Sequence, residues 1–102
     1  MRELAEAETR GIIVTAAEAG DGHDFVSRFF APRVGIDEDP VTGSAHCALA
    51  PYWAARLGRN GLVGYQASPR GGRVACSVAE TDVLLSGHAV TVWRGELLVD
   101  RL

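Results

Sequence analysis

A chain of 102 residues has room for one small domain with one core, and at that size much of its surface stays in water. Its net charge of −3, with 10 basic residues that are all arginine, excludes a general nucleic-acid or anionic-membrane binder and makes each cation a planar fork suited to carboxylates. No run approaches the ~20 apolar residues of a membrane span, and the start Met1-Arg2-Glu3-Leu4-Ala5-Glu6 is too acidic and polar for a signal peptide, so the expectation is a cytoplasmic protein.

In chain order, residues 2 to 8 read as the last turns of a helix, and Gly11-Ile12-Ile13-Val14-Thr15-Ala16 as a buried strand because a β-branched run follows a glycine. Gly20-Asp21-Gly22-His23-Asp24 is a turn, with His23 at the surface, and Phe25 to Phe30 resumes extended structure up to Pro32. Gly35 to Pro40 is then a loop leading into a helix over about Ser44 to Leu57. That helix is apolar nearly all round, which predicts burial; Pro51 inside it predicts a bend, and Gly58 fits a left-handed cap. Leu62–Ala67, Gly72–Val78, Val83–Leu85, Ala89–Trp93 and Leu97–Val99 follow as strands punctuated by glycines. The sum is a single α+β domain over residues 1–102, a curled mixed sheet around one long buried helix.

The run from Glu38 to Ala50 carries the chemistry. Asp39 precedes Pro40 at the mouth of the helix, where free backbone N–H groups and the helix dipole favour an anion. Asp followed by Pro is also an ordinary helix start, so Asp39 reads either as a cap or as a ligand group. Thr42, Gly43, Ser44 and Ala45 form the turn; Thr42 or Ser44 could cap a nearby N–H, and the same amides could take a substrate carboxylate with Gly43 allowing close approach. His46, beside Ser44, is better placed than His88 to reach a ligand, though neither has a Ser or Cys partner. Cys47, Cys76 and the pair Tyr52 and Trp53 read as core, and the two cysteines lack metal-ligand spacing, so no metal is expected. Arg70-Gly71-Gly72-Arg73 reads as an anion-binding nest or, more simply, a tight hairpin with solvated arginines.

The run Glu38-Asp39-Pro40-Val41-Thr42-Gly43-Ser44-Ala45-His46-Cys47 resembles the substrate-side motif of the phenazine-biosynthesis isomerase (PhzF-like) family, whose fold is that of diaminopimelate epimerase. Asp24 to Pro32, Arg70 to Val74 and Leu85 to Val92 extend the resemblance over almost the whole chain, but only to the C-terminal half of a family member. The resemblance implies a cofactor-independent proton transfer in which Asp39 hydrogen-bonds a small anionic substrate held by residues 42 to 46. It also implies that the acid/base glutamate belongs to an N-terminal half lacking here. Related epimerases carry Cys-Gly-[Ser/Thr] where this chain has Thr42, and a threonine hydroxyl is far too weakly acidic to replace a thiolate. Alone, the chain is expected to show trace isomerase activity at most and to pair with a complementary N-terminal half or with itself, burying more than ~1,200 Å². A non-catalytic homodimeric binding domain is the alternative.

Overall fold

The computed structural model describes residues 11–18 and 22–100, so the helix expected over residues 2 to 8 and part of the turn at 20 to 24 lie outside it. Six strands form one mixed sheet. β1 (Ile12–Ala17) and β2 (Phe25–Ala31) pair antiparallel over six residues, the β-branched run Ile12-Ile13-Val14-Thr15 suiting a pleated, half-buried surface. Pro32, with its fixed φ, opens a short 3₁₀ turn over Pro32–Val34 that closes on Gly35 at φ 89°, a left-handed conformation suited to glycine. The chain thereby returns along β2 as β3 (Ile36–Asp39), where a loop was expected.

Helix α1 (Gly43–Leu57) crosses the sheet and ends on Gly58, whose left-handed backbone (φ 68°) donates N–H to the Ala54 carbonyl at 2.9 Å. β4 (Gly61–Gln66) then lies parallel to β2, and β5 (Gly72–Val78) and β6 (Val83–Ser86) add antiparallel. The strand order is β1-β2-β4-β5-β6, with β3 on β2.

The core lies between α1 and one face of the sheet: Leu49, Ala50 and Trp53 meet Phe25, Leu62, Val74 and Cys76. Trp53 stacks on Phe25 with centroids 6.0 Å apart, and its indole N–H donates to Thr15 Oγ1 at 2.9 Å. The expectation of a helix buried all round is corrected here. Cys47, Ala48, Pro51, Tyr52 and Ala55 are exposed, because the sheet covers only one side and most of the outward residues are small. Cys47 and Tyr52 therefore leave the expected core, while Trp53 and Cys76 stay in it. Pro51 sits on the exposed side, within a helix that continues through it.

Two expected strands do not form. Residues 87 to 100 have no ladder partner among the described residues and are exposed throughout. Among the described residues no helix is long and apolar enough to cross a membrane.

Candidate functional site

Asp39 ends β3, and Gly43 begins α1, so Pro40, Val41 and Thr42 between them turn the chain from sheet to helix. The turn is held from below by Gln66, which is fully buried on β4. Gln66 Nε2 donates to the Asp39 carbonyl at 2.8 Å and to Thr42 Oγ1 at 3.0 Å, while its Oε1 accepts the Thr42 N–H at 2.7 Å. A second tie comes from the β4–β5 hairpin. Ser68 Oγ donates to the Pro40 carbonyl at 2.9 Å and accepts the Gly71 N–H at 2.8 Å.

The capping reading of Asp39 fails on this geometry. Thr42 is the residue at the helix start, and no side chain caps it. The Asp39 carboxylate instead accepts a short hydrogen bond from the Thr42 hydroxyl. The first helical bond runs from the His46 N–H to the Thr42 carbonyl at 3.4 Å, so the amides of Gly43, Ser44 and Ala45 precede the helical ladder. They are the donors that a helix of this kind leaves to a cap, water or a ligand.

Asp39, Pro40, Val41 and Gly43 form one wall of an open cavity of about 710 Å³. The hairpin from Arg70 to Val74 makes the second wall and Leu85 to His88 the third, so Asp39, Arg70, Arg73 and His88 line one cavity. A Cβ on Gly43 would find only Leu85 Cδ1, at 4.0 Å, so the backbone there is open to a ligand. Arg73 is anchored by a bond from Nη2 to the Gly22 carbonyl at 2.6 Å, and Arg70 is exposed. The hairpin amides do not make an anion nest. Gly71 N–H is taken by Ser68, and Gly72 lies in the β4–β5 register opposite Gln66.

The residues expected at the site separate into two groups. Asp39 and Gly43 line the cavity, Thr42 is hydrogen-bonded to the Asp39 carboxylate, and Ser44 is exposed on the first helical turn. Ala45 and His46 point inward: Ala45 is in the core, and His46 is fully buried against Phe25 with Nδ1 2.7 Å from the Thr42 carbonyl. Burial holds the His46 imidazole below the usual histidine range, against the opposing pull of that carbonyl. The structure thus gives His46 a packing role under the turn, and it is His88 that lines the cavity. His46 was placed with the ligand because it follows Ser44 in sequence, but side chains two apart on a helix diverge. Gln66 was missed. Its signal was a polar residue at the same strand parity as Leu62, on the face turned to the helix.

Cys47 faces solvent on α1, away from the cavity walls. Burial raises the Cys76 thiol to about 11, so it is an inert core group. Among the described residues no three of His, Cys, Asp and Glu come together as a metal-ligand set.

A phenazine biosynthesis-like protein (PhzC-PhzF) family model matches residues 1–95. The chain belongs to that family. It is 52% identical over 96 residues to an uncharacterized isomerase of Halalkalibacterium halodurans, covering 94% of this chain and 36% of the relative. A second uncharacterized isomerase, from Pseudomonas aeruginosa, is 54% identical over 94 residues, covering 92% and 35%. The crystal structure of a PhzF-family phenazine biosynthesis protein from Enterococcus faecalis superposes with a TM-score of 0.78 at 49% identity, over 84% of this chain and 33% of that one. The chain therefore has the PhzF-like fold and spans about a third of the length of the relatives it matches.

Proposed function

We propose that this chain supplies the substrate-side half of a cofactor-independent PhzF-like isomerase, a diaminopimelate epimerase-like half-domain that holds a small carboxylate-bearing substrate without completing the catalytic set. The observation that carries the reading is the uncapped start of α1 opening beside Asp39 on the wall of a 710 Å³ cavity. Family membership supports the reaction class.

In this reading the amides of Gly43, Ser44 and Ala45, with the Ser44 hydroxyl, take the substrate carboxylate, where the dipole supplies roughly half a positive charge. Asp39 would repel that same carboxylate at contact distance. It instead accepts from a hydroxyl or amine of the substrate through the carboxylate oxygen that Thr42 leaves free. Thr42 fixes the carboxylate rotamer and Gln66 fixes Thr42, which keeps the acceptor oriented before substrate arrives. Proton transfer itself requires a second acid/base group facing this wall, which the resemblance assigns to the family's other half. A general acid/base contributes about 10²–10⁴-fold, so the chain alone turns substrate over at trace rates.

Titration of ¹⁵N-labelled chain with a small carboxylate such as pyruvate tests the binding step. The expected result is saturable shifts at Gly43, Ser44 and Ala45 that weaken when Ser44→Ala removes the hydroxyl. Shifts confined to exposed arginines would refute the site, and robust isomerase turnover by the chain alone, abolished in Asp39→Asn, would refute the half-site reading.

A further inference from the structure

His46 is fully buried, yet only one of its ring nitrogens is used. Nδ1 lies 2.7 Å from the Thr42 carbonyl, and because a carbonyl only accepts, the proton of the neutral ring sits on Nδ1. Nε2 is left as a buried acceptor that meets no hydrogen-bonding group among the described residues. Packing alone does not account for such a ring. Its neighbours are Phe25, with centroids 5.9 Å apart, and Gly64, where an added Cβ would come within 3.0 Å of His46 Cδ2. An apolar ring would suit those neighbours and leave no polar atom unpaired, a fault that native interiors rarely carry without a reason.

The reason lies in what the Thr42 carbonyl is joined to. The peptide linking Thr42 to Gly43 is planar and trans, so its C=O and N–H point in opposite directions and fixing one aims the other. Held inward by the buried ring, the carbonyl turns the Gly43 N–H outward, on a residue that lines the cavity. The helical ladder does this only weakly, since the His46 N–H reaches the same carbonyl at 3.4 Å, longer than the usual range of about 2.7–3.2 Å. The preceding peptide is pinned as well, through the bond from the Thr42 N–H to Gln66 Oε1 at 2.7 Å. Two buried side chains thus grip the peptides on either side of Thr42, whose backbone is extended at φ −118° and ψ 108°.

We propose that His46 is a positioning residue: its Nδ1–H holds the Thr42 carbonyl and so presets the Gly43 amide as a donor aimed into the cavity beside Asp39. Being fully buried, the ring acts only through the peptide plane. A donor oriented in advance needs no reorganisation when an anion arrives, which is where the gain in binding comes from. That the amide meets a substrate carboxylate rests on the half-site reading; the aim of the amide does not.

Nitrogen-15 spectra of the full chain at neutral pH make the first test. The expected His46 ring is protonated at Nδ1 and bare at Nε2, and the opposite tautomer overturns the proposal without any variant. Residual dipolar couplings of the Gly43 N–H then compare three substitutions. His46→Asn keeps a donor at the Nδ1 position and should leave the Gly43 coupling unchanged. His46→Gln carries its donor one bond further out and His46→Phe has none, so both should change that coupling while those of β4 and β5 hold. With pyruvate as the probe, affinity should fall about tenfold in the Gln and Phe variants and stay within about threefold in Asn. The same Gly43 coupling in all three variants, or the same loss in all three, makes His46 a packing residue and overturns the proposal. Where Phe or Gln fails to fold, the tautomer and the Asn comparison decide. Pyruvate that does not bind the unsubstituted chain, with the expected couplings present, refutes the half-site and upholds the aimed amide.

Discussion

Gln66 is fully buried and turns both ends of its amide toward the loop that carries Asp39. Gln66→Leu keeps the approximate volume but leaves the Thr42 N–H without its acceptor, at a cost of about 1–3 kcal/mol. Urea unfolding should show the midpoint falling by that energy divided by the slope, with the slope itself unchanged. His46 makes a separate, pH-dependent contribution. Its folded-state affinity for a proton lies below that of the unfolded chain, so the unfolded state takes up more protons as pH falls. Stability from this group is complete above the ordinary histidine value of about 6.5 and is lost as pH drops below it toward the depressed folded value. A His46→Phe variant, if it folds, should lose that slope between neutral and mildly acidic pH in thermal unfolding. The motif residues were legible because an Asp-Pro turn before a helix leaves a sequence trace. Gln66 and His88 were not, because Gln66 reaches the site only through the pairing of β4 with β2, and His88 only through that of β6 with β5.

The elements follow local chemistry where the local signal is strong. β5 was bounded correctly by Gly72 and Val78, and the C-terminal cap of α1 fell on Gly58 as its conformational freedom demands. β3 was unreadable, since Ile36-Asp37-Glu38-Asp39 has little strand propensity and is extended only because the 3₁₀ turn lays it on β2. The Arg28 guanidinium, bonded twice to Glu38 at 2.8 Å, then ties the two strands at the surface. The opposite error occurred at residues 89 to 99, where strand composition exists without a ladder to join. Gly64 shows how tightly α1 sits on β4. A Cβ there would lie 2.5 Å from Phe25 Cζ and 3.0 Å from His46 Cδ2. Gly64→Ala should therefore destabilise by about 1–3 kcal/mol through overpacking, measured by urea unfolding, although alanine ordinarily stiffens a strand.

For the molecule as a whole, burial is concentrated between α1 and one sheet face, and residues 87 to 100 add almost nothing to it. A chain ending at Gly87 should unfold within about 1 kcal/mol of the full chain when both are dilute enough to be monomeric, as read by thermal melts. The topology has a further consequence. β1 and β2 form one local hairpin, and β4, β5 and β6 form a second local meander. Within the sheet three parallel pairs, Phe25 with Gly64, Val26 with Tyr65 and Ser27 with Gln66, stitch them together, helped by the Asp24 carboxylate on the Val63 N–H and by α1, whose Trp53 stacks on Phe25 and shares the core with Leu62 and Val74. During synthesis the first hairpin must therefore wait, its inner face uncovered, until the whole of α1 and β4 has been made, because the contacts that close the seam are distant in sequence. The step that joins the two pieces sets the pace of folding, and the same seam is where the sheet parts first when the chain is pulled from its ends.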